Sequence, residues 1–325
     1  MRLDDLHILP KFADGWSYLY VEHCRVDREE NAIALHDAEG SVAVPCANLA
    51  LLMVGPGVSL THAAILVLAD HGCLVAWCGE QGVRFYALGM GETRSAARFM
   101  HQARLWASDT LHYQVVRRMY QKRFTETLAP FLTLQQIRGL EGRRVRQAYE
   151  QASRETGLPW KGRQYDRRHW NQGDLVNRAL STANSCLYGI CHAAIVSAGF
   201  SPALGFIHTG KMLSFVYDIA DLYKTEISVP IAFRAAAQGE DQLERRTRMA
   251  CRDAFASSQL LARIIPDINQ VLAWRTGETD DAPADADPAL PGHLWDPEGA
   301  EIEGGRQQLL PMNLPLSTPH DHPNP

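Results

Sequence analysis

The sequence predicts an α+β fold, with a small N-terminal β-rich domain followed by a larger all-α domain. Three observations predict it. Short apolar runs broken by turn residues fill residues 16–88, three- and four-residue apolar spacings fill 93–275, and the last hundred residues of that body carry almost no strand pattern. The expected organisation is a β domain with one helix over 1–88, a hinge at 89–92, a helical domain over 93–275, and an acidic, Pro-rich flexible tail over 276–325.

In the first domain, Ser17 to Cys24, Ala32 to Asp37, Ser41 to Val44 and Leu49 to Val54 read as strands. Ala38-Glu39-Gly40 and Gly55-Pro56-Gly57 are the turns between them. Thr61 caps a helix running to Asp70. Cys73 to Cys78 and Val83 to Leu88 form two more strands around Gly79-Glu80-Gln81-Gly82. Gly89-Met90-Gly91 then breaks the pattern. Helices are expected over Arg94 to Phe124 with a break near Ser108, Thr133 to Thr156, Asp174 to Ala198, Ser214 to Thr225, Pro230 to Ala237, Leu243 to Ser257, and Ile264 to Trp274. Gly-rich groupings occur, but none follows a strand and opens a helix as a nucleotide loop requires. Beyond Thr276 the composition turns to Asp, Ala, Pro and Gly and cannot bury enough apolar area to fold alone.

The 325 residues are 46% hydrophobic and 21% charged, enough for one large or two ordinary cores. No apolar run approaches the roughly 20 residues of a membrane span, and Met1-Arg2-Leu3-Asp4-Asp5 lacks a signal-peptide core. The expectation is a cytoplasmic protein with no membrane partner. The seven cysteines are scattered, and neither Cys73/Cys78 nor Cys186/Cys191 has zinc-knuckle spacing, so they read as buried small hydrophobes.

The net charge of −5 is unevenly spread. Residues 276–325 hold ten Asp/Glu and one Arg, which leaves a net +4 on the body. Arg84 to Arg178 alone holds eighteen Lys/Arg against eight Asp/Glu. Arginines interleaved with aromatics, as in Tyr165-Asp166-Arg167-Arg168-His169-Trp170, suit a polyanion, because guanidinium matches phosphate and rings stack on bases.

The chemistry-bearing stretch is Gly205-Phe206-Ile207-His208-Thr209-Gly210-Lys211 followed by Ser214 to Leu222. Asp218 and Asp221 lie three apart on one helical face, near a turn that delivers the His208 imidazole. They are embedded among apolar residues, so they require a cation or donors. Such an O,O,N set can hold a divalent cation, and Glu141 in Leu140-Glu141-Gly142 can supply a further carboxylate. Taken alone, Glu141 between Arg138 and Arg144 reads as an exposed helix ion pair.

Together these pieces resemble the integrase subunit of CRISPR adaptation, the CRISPR-associated protein numbered one, in its type I-E branch. The residues carrying the likeness are Pro56-Gly57 with Thr61-His62-Ala63-Ala64, Gly79-Glu80 with Gly82-Val83-Arg84 and Tyr86-Ala87, Gly139-Leu140-Glu141-Gly142 with Arg144-Val145-Arg146, and Gly205 to Lys211 through Ala220-Asp221. The resemblance covers residues 5–275. It implies a β domain joined to a helical catalytic domain. It also implies Glu141, His208 and Asp221 as ligands of Mg²⁺ or Mn²⁺, with Asp218 in the same catalytic pocket. Arg84, Lys211, Arg245 and Arg248 match positions that contact DNA, Tyr165, Trp170 and Tyr188 line its path, and Gln307 and Gln308 resemble a tail element that reads the protospacer-adjacent motif. The reaction implied joins 3′-hydroxyl ends of double-stranded fragments to the CRISPR repeat by transesterification. The alternative is a structure-selective endonuclease acting on branched DNA in repair. The implied assembly is a homodimer bridged by a small ferredoxin-like partner dimer.

Overall fold

A computed structural model of the chain describes residues 17–46, 49–80, 85–89, 96–163, 174–274, 293–294 and 302–303. Residues 1–282 form one compact unit and residues 283–325 a second. The N-terminal part carries the strands and the rest of the first unit is helical.

Two four-stranded sheets make the β region. In the first, β1 (Ser17–Val21), β5 (Leu49–Val54) and β7 (Leu74–Cys78) run parallel, and β8 (Phe85–Gly89) closes the edge antiparallel to β7. Apolar residues on both faces explain the central strands, since a buried parallel strand has no polar side. Alternation divides β5 between two layers. Leu52 and Val54 pack toward α1 (His62–Asp70), whereas Leu51 and Met53 pack with Leu74, Ala76, Cys78 and Ala193. Ala193 belongs to α5 (Leu175–Ser197), so this sheet lies between α1 and α5.

The second sheet has the order β4 (Ser41–Pro45), β3 (Ala32–His36), β2 (Arg25–Glu29), β6 (Ser59–Leu60). Strands β2 and β6 are absent from the sequence expectations. Arg25-Val26-Asp27-Arg28-Glu29 buries only Val26, so no apolar alternation marks it. Asp37 sets the next turn, its Oδ1 accepting from the Glu39 and Gly40 amides at 2.8 and 3.0 Å.

The helices are α2 (Ala97–Ala107), α3 (Asp109–Lys122), α4 (Leu134–Thr156), α5, α6 (Ser214–Ala220), α7 (Ser228–Ala237), α8 (Leu243–Ser257) and α9 (Leu260–Leu272). Ser108 breaks α2 from α3 by capping the latter. Thr133 and Gln136 form a capping box on α4, and Gly157 ends it in the left-handed region at φ 72°. Helix α6 stops at Ala220, five residues before the expected end, and the chain continues in tight turns to α7. Helix α9 starts four residues earlier than expected and carries Pro266 inside it. Its stripe of Leu260, Leu261, Ile264, Ile265, Ile268, Val271 and Leu272 packs into the core and outweighs the lost backbone bond. Helix α5 is the hub, packed by α6, α7, α8 and α9.

The second unit contains an antiparallel pair, β9 (His293–Leu294) with β10 (Ile302–Glu303), inside the stretch expected to be a flexible tail.

Candidate active site

The site forms where the loop after α5, helix α6, helix α4 and the C-terminus of α3 meet. The loop descends from Phe200 to Leu213 and presents His208. Gly205 is required there. A Cβ at this position would collide with the His208 carbonyl oxygen and with Ser214.

Asp218 is fully buried on α6. Its Oδ2 accepts from the Phe206 and Ile207 amides at 2.6 and 3.0 Å. Its Oδ1 accepts from the His208 amide at 2.8 Å and faces His208 Nδ1 at 2.7 Å. These donors stabilise the buried carboxylate, as the apolar surroundings require. They also use up its acceptor capacity, which makes Asp218 an orienting group for His208 rather than a ligand. With Nδ1–H donated to Asp218, the lone pair of His208 lies on Nε2. The hydrogen bond to Asp218 raises the His208 pKa, burial opposes it, and the charge of Asp221 reinforces it.

Asp221 caps α6 three residues on, with its Oδ2 3.9 Å from His208 Nε2. The two aspartates thus flank opposite nitrogens of one imidazole. Asp221 Oδ1 receives Lys224 Nζ at 2.5 Å. Burial depresses the Lys224 pKa, but the charge of Asp221 and contact with Tyr188 outweigh it and leave the pKa raised.

Glu141 projects from α4 with a side chain 12% exposed, so it is not the exposed helix pair that its spacing allows. Arg144 grips it with two donors, Nε to Oε2 at 2.8 Å and Nη2 to Oε1 at 3.0 Å. The remaining nitrogen, Nη1, donates to Thr225 Oγ1 at 2.9 Å and ties α4 to the chain beyond α6. Arg123, at the end of α3, links the two halves. Its Nη1 lies 3.3 Å from Glu141 Oε1 and its Nη2 3.7 Å from Asp221 Oδ2. Its side chain is only 4% exposed, and its guanidinium lies 5.2 Å from the centre of the Tyr120 ring.

The donor set of Glu141, His208 Nε2 and Asp221 suits a hard divalent cation in its chemistry, with the imidazole aimed by a carboxylate behind it. Among the described residues, however, no three metal-ligating side chains are grouped closely enough to close around an ion. Arg123, Arg144 and Lys224 hold the carboxylates instead, so an ion would have to exchange with those contacts.

Of the other sequence-predicted residues, Tyr188 is brought to the site. Its ring lies 4.9 Å from Lys224 Nζ and packs edge-on against Tyr217, 5.0 Å between centroids, and Tyr217 in turn neighbours His208. Lys211 is exposed at the end of the His208 loop. Arg245 and Arg248 lie on α8, where Arg245 Nη1 donates to Gln242 and Arg248 meets Glu80 at 3.3 Å, so they are not joined to the His208 cluster by any of these contacts. Arg84, Tyr165, Trp170, Gln307 and Gln308 lie outside the described residues. All seven cysteines are buried and none is in a disulfide, and Cys191 on α5 packs in the helical core. Sequence reasoning missed Arg123, Lys224 and Tyr217. The i,i+3 step from Asp221 signals Lys224, whereas nothing local links Arg123 to a carboxylate eighteen residues away.

Comparison with known proteins decides the family. A relative from Thermus thermophilus described as CRISPR-associated endonuclease Cas1 2 is 56% identical over 301 residues, 93% of this chain and 92% of its own. The chain belongs to the Cas1 family. Residues 119–252, which contain Arg123, Glu141, His208 and both aspartates, match the family described as CRISPR associated protein Cas1. The crystal structure of a TtCas1–DNA complex superposes with a TM-score of 0.76 at 58% identity, covering 82% of this chain and all of that one. A casposase bound to an integration product, 13% identical with a TM-score of 0.50, shares the fold.

Proposed function

We propose that this Cas1 protein is a metal-dependent DNA integrase of the type I-E branch. It joins 3′-hydroxyl ends of captured double-stranded fragments to the CRISPR repeat. The observation that carries the reading is the convergence of Asp218 and Asp221 on His208, at 2.7 and 3.9 Å, with Arg123 tying Asp221 to Glu141. A Mg²⁺ or Mn²⁺ ion held by Glu141, His208 Nε2 and Asp221 would polarise the phosphodiester and stabilise the leaving oxygen.

The chain's own groups do the rest. Asp218 fixes the tautomer and direction of the imidazole. Arg123, Arg144 and Lys224 offset the carboxylates, so that an anionic backbone is not repelled from the pocket. Tyr188 and Tyr217 wall the side nearest Lys224. In the reaction one phosphodiester bond forms as another breaks, so no nucleotide cofactor is needed. Lys211, Arg84, Arg245, Arg248, Tyr165 and Trp170 are proposed DNA contacts, and Gln307 and Gln308 the motif readers. The proposed assembly is a homodimer with the ferredoxin-like partner dimer, in the cytoplasm. Buried cysteines that form no disulfide suit that reducing compartment.

The test is joining of a labelled 3′-hydroxyl duplex into a supercoiled plasmid carrying the native repeat, with the partner and Mg²⁺, for wild type and Asp221→Ala. Joined product in wild type alone, with DNA binding retained by the variant, supports the integrase. Cleavage without joining favours the branched-DNA endonuclease, and binding with no chemistry in either protein rejects both.

A further inference from the structure

The segment that carries His208 is gripped from two sides by different elements. From α6, the Asp218 carboxylate takes the amides of Phe206, Ile207 and His208. From the opposite side, α2 and α3 take the carbonyls. Gln102, itself fully buried, donates from Nε2 to the Ser201 and Leu204 carbonyls at 3.1 and 3.0 Å, and its Oε1 accepts the Ser201 amide at 2.7 Å. Trp106 Nε1 donates to the Gly205 carbonyl at 3.1 Å. His112 Nε2 meets the Phe206 carbonyl at 2.9 Å, and its ring packs edge-on against Phe206, 5.0 Å between centroids.

Peptide planarity makes this pairing consequential. The Gly205 carbonyl and the Phe206 amide belong to one rigid plane, and the Phe206 carbonyl and the Ile207 amide to the next. Each plane is therefore held at both ends, by Trp106 and Asp218 in the first and by His112 and Asp218 in the second. With two successive planes fixed, the path into Ile207 and His208 has little freedom left. Asp218 alone would anchor one edge of the segment and leave it free to pivot.

We propose that Trp106 and His112, supported by Gln102, are positioning residues that set where His208 presents its imidazole. The inference rests on the proposed role of His208, and none of the three touches the reacting groups. Trp106 is 43% exposed, more than a tryptophan kept only for packing requires. A loop filler would serve equally well as phenylalanine, whereas here each side chain aims a polar atom at a main-chain carbonyl.

The experiment uses the full chain with its partner and compares Trp106→Phe, His112→Phe and His112→Gln. Amide hydrogen exchange over residues 201–208 is measured alongside joining kinetics. Both Phe variants should exchange these amides faster and lose kcat on the order of tenfold or more, with KM for DNA unchanged, because misplacement of a catalytic group acts on chemistry rather than binding. His112→Gln keeps an N–H donor and should recover most of both losses. Unchanged exchange and kcat in both Phe variants would overturn the proposal. So would a general loss of melting temperature, kcat and KM together that His112→Gln does not relieve. If wild type joins nothing while the Phe variants still raise exchange at 206–208 selectively, the integrase reading fails and the positioning of His208 stands.

Discussion

His208 gives both its main-chain amide and its ring Nδ1 to a single oxygen of Asp218, Oδ1, at 2.8 and 2.7 Å. One buried atom therefore touches both the main chain of the turn and the ring nitrogen that sets the imidazole's tautomer. Loop conformation and chemical readiness cannot be varied separately at this point, so substitutions at 218 should read out in stability and in activity at once.

Asp218→Ala removes a fully buried acceptor shared by three amides and an imidazole. Leaving such donors unpaired should cost about 3 kcal/mol of stability. Asp218→Asn should cost nearly as much, because its amide turns a donor toward donors. Denaturant unfolding of both variants checks this. A loss within a few tenths of a kcal/mol would mean that the turn is held from elsewhere.

Arg123→Met should sharpen the response to divalent ions. Arg123 now shares Glu141 and Asp221 with Arg144 and Lys224, and it competes with any ion for those oxygens. Removing it leaves more uncompensated negative charge. The expected result is a lower melting temperature without metal and a larger upward shift with Mg²⁺ or Mn²⁺ than in wild type. Equal shifts in the two proteins would place ion binding away from these carboxylates.

Acid should loosen the junction of sheet and helix. Burial of His192 on α5, against the Phe85 ring of β8 at 4.1 Å between centroids, lowers its pKa to about 4. The unfolded chain, with an ordinary imidazole, takes up this proton first. Stability contributed by the neutral ring is therefore intact above pH ~6.5 and is lost as the pH falls toward about 4. The loss should be about 2 kcal/mol once screening of the partly exposed ring is allowed for. His192→Leu should flatten that limb of the stability–pH curve, and an unchanged curve would show that other groups dominate.

Gly205→Ala tests the tight passage beside the site. The added methyl meets backbone that is itself fixed by Trp106 and Asp218, so the loop has little room to yield. A destabilisation of about 1–3 kcal/mol is expected, with joining reduced more than DNA binding. Gly139→Ala is the control, since a Cβ there meets open space on α4.

Much of the architecture was legible because it follows from periodicity. Helices α4, α5 and α8 lie within a residue of their expected bounds, since caps such as Thr133 and Asp174 and long apolar stripes are local signals. Strand β2 was not legible, because hydrogen bonding to β3 and β6 holds a charged segment with a single buried residue. The same division holds in the site. The aspartates and His208 lie within fourteen residues and their spacing carries meaning. Arg123 and the grips of Gln102, Trp106 and His112 arise only when distant helices meet the loop, and no sequence window contains both partners.

Helix α5 has one more consequence, for the birth of the protein rather than its activity. By length and mean hydropathy its 23 residues match a membrane span, although no continuous apolar run marks them, and most of that surface is buried within the folded protein. Its principal partners α7 and α8 follow it in the chain. A ribosome that has released Ser197 but not yet Ser257 therefore exposes an apolar helix whose main partners are still unmade. The pace of translation across those sixty residues sets how long that surface stays uncovered.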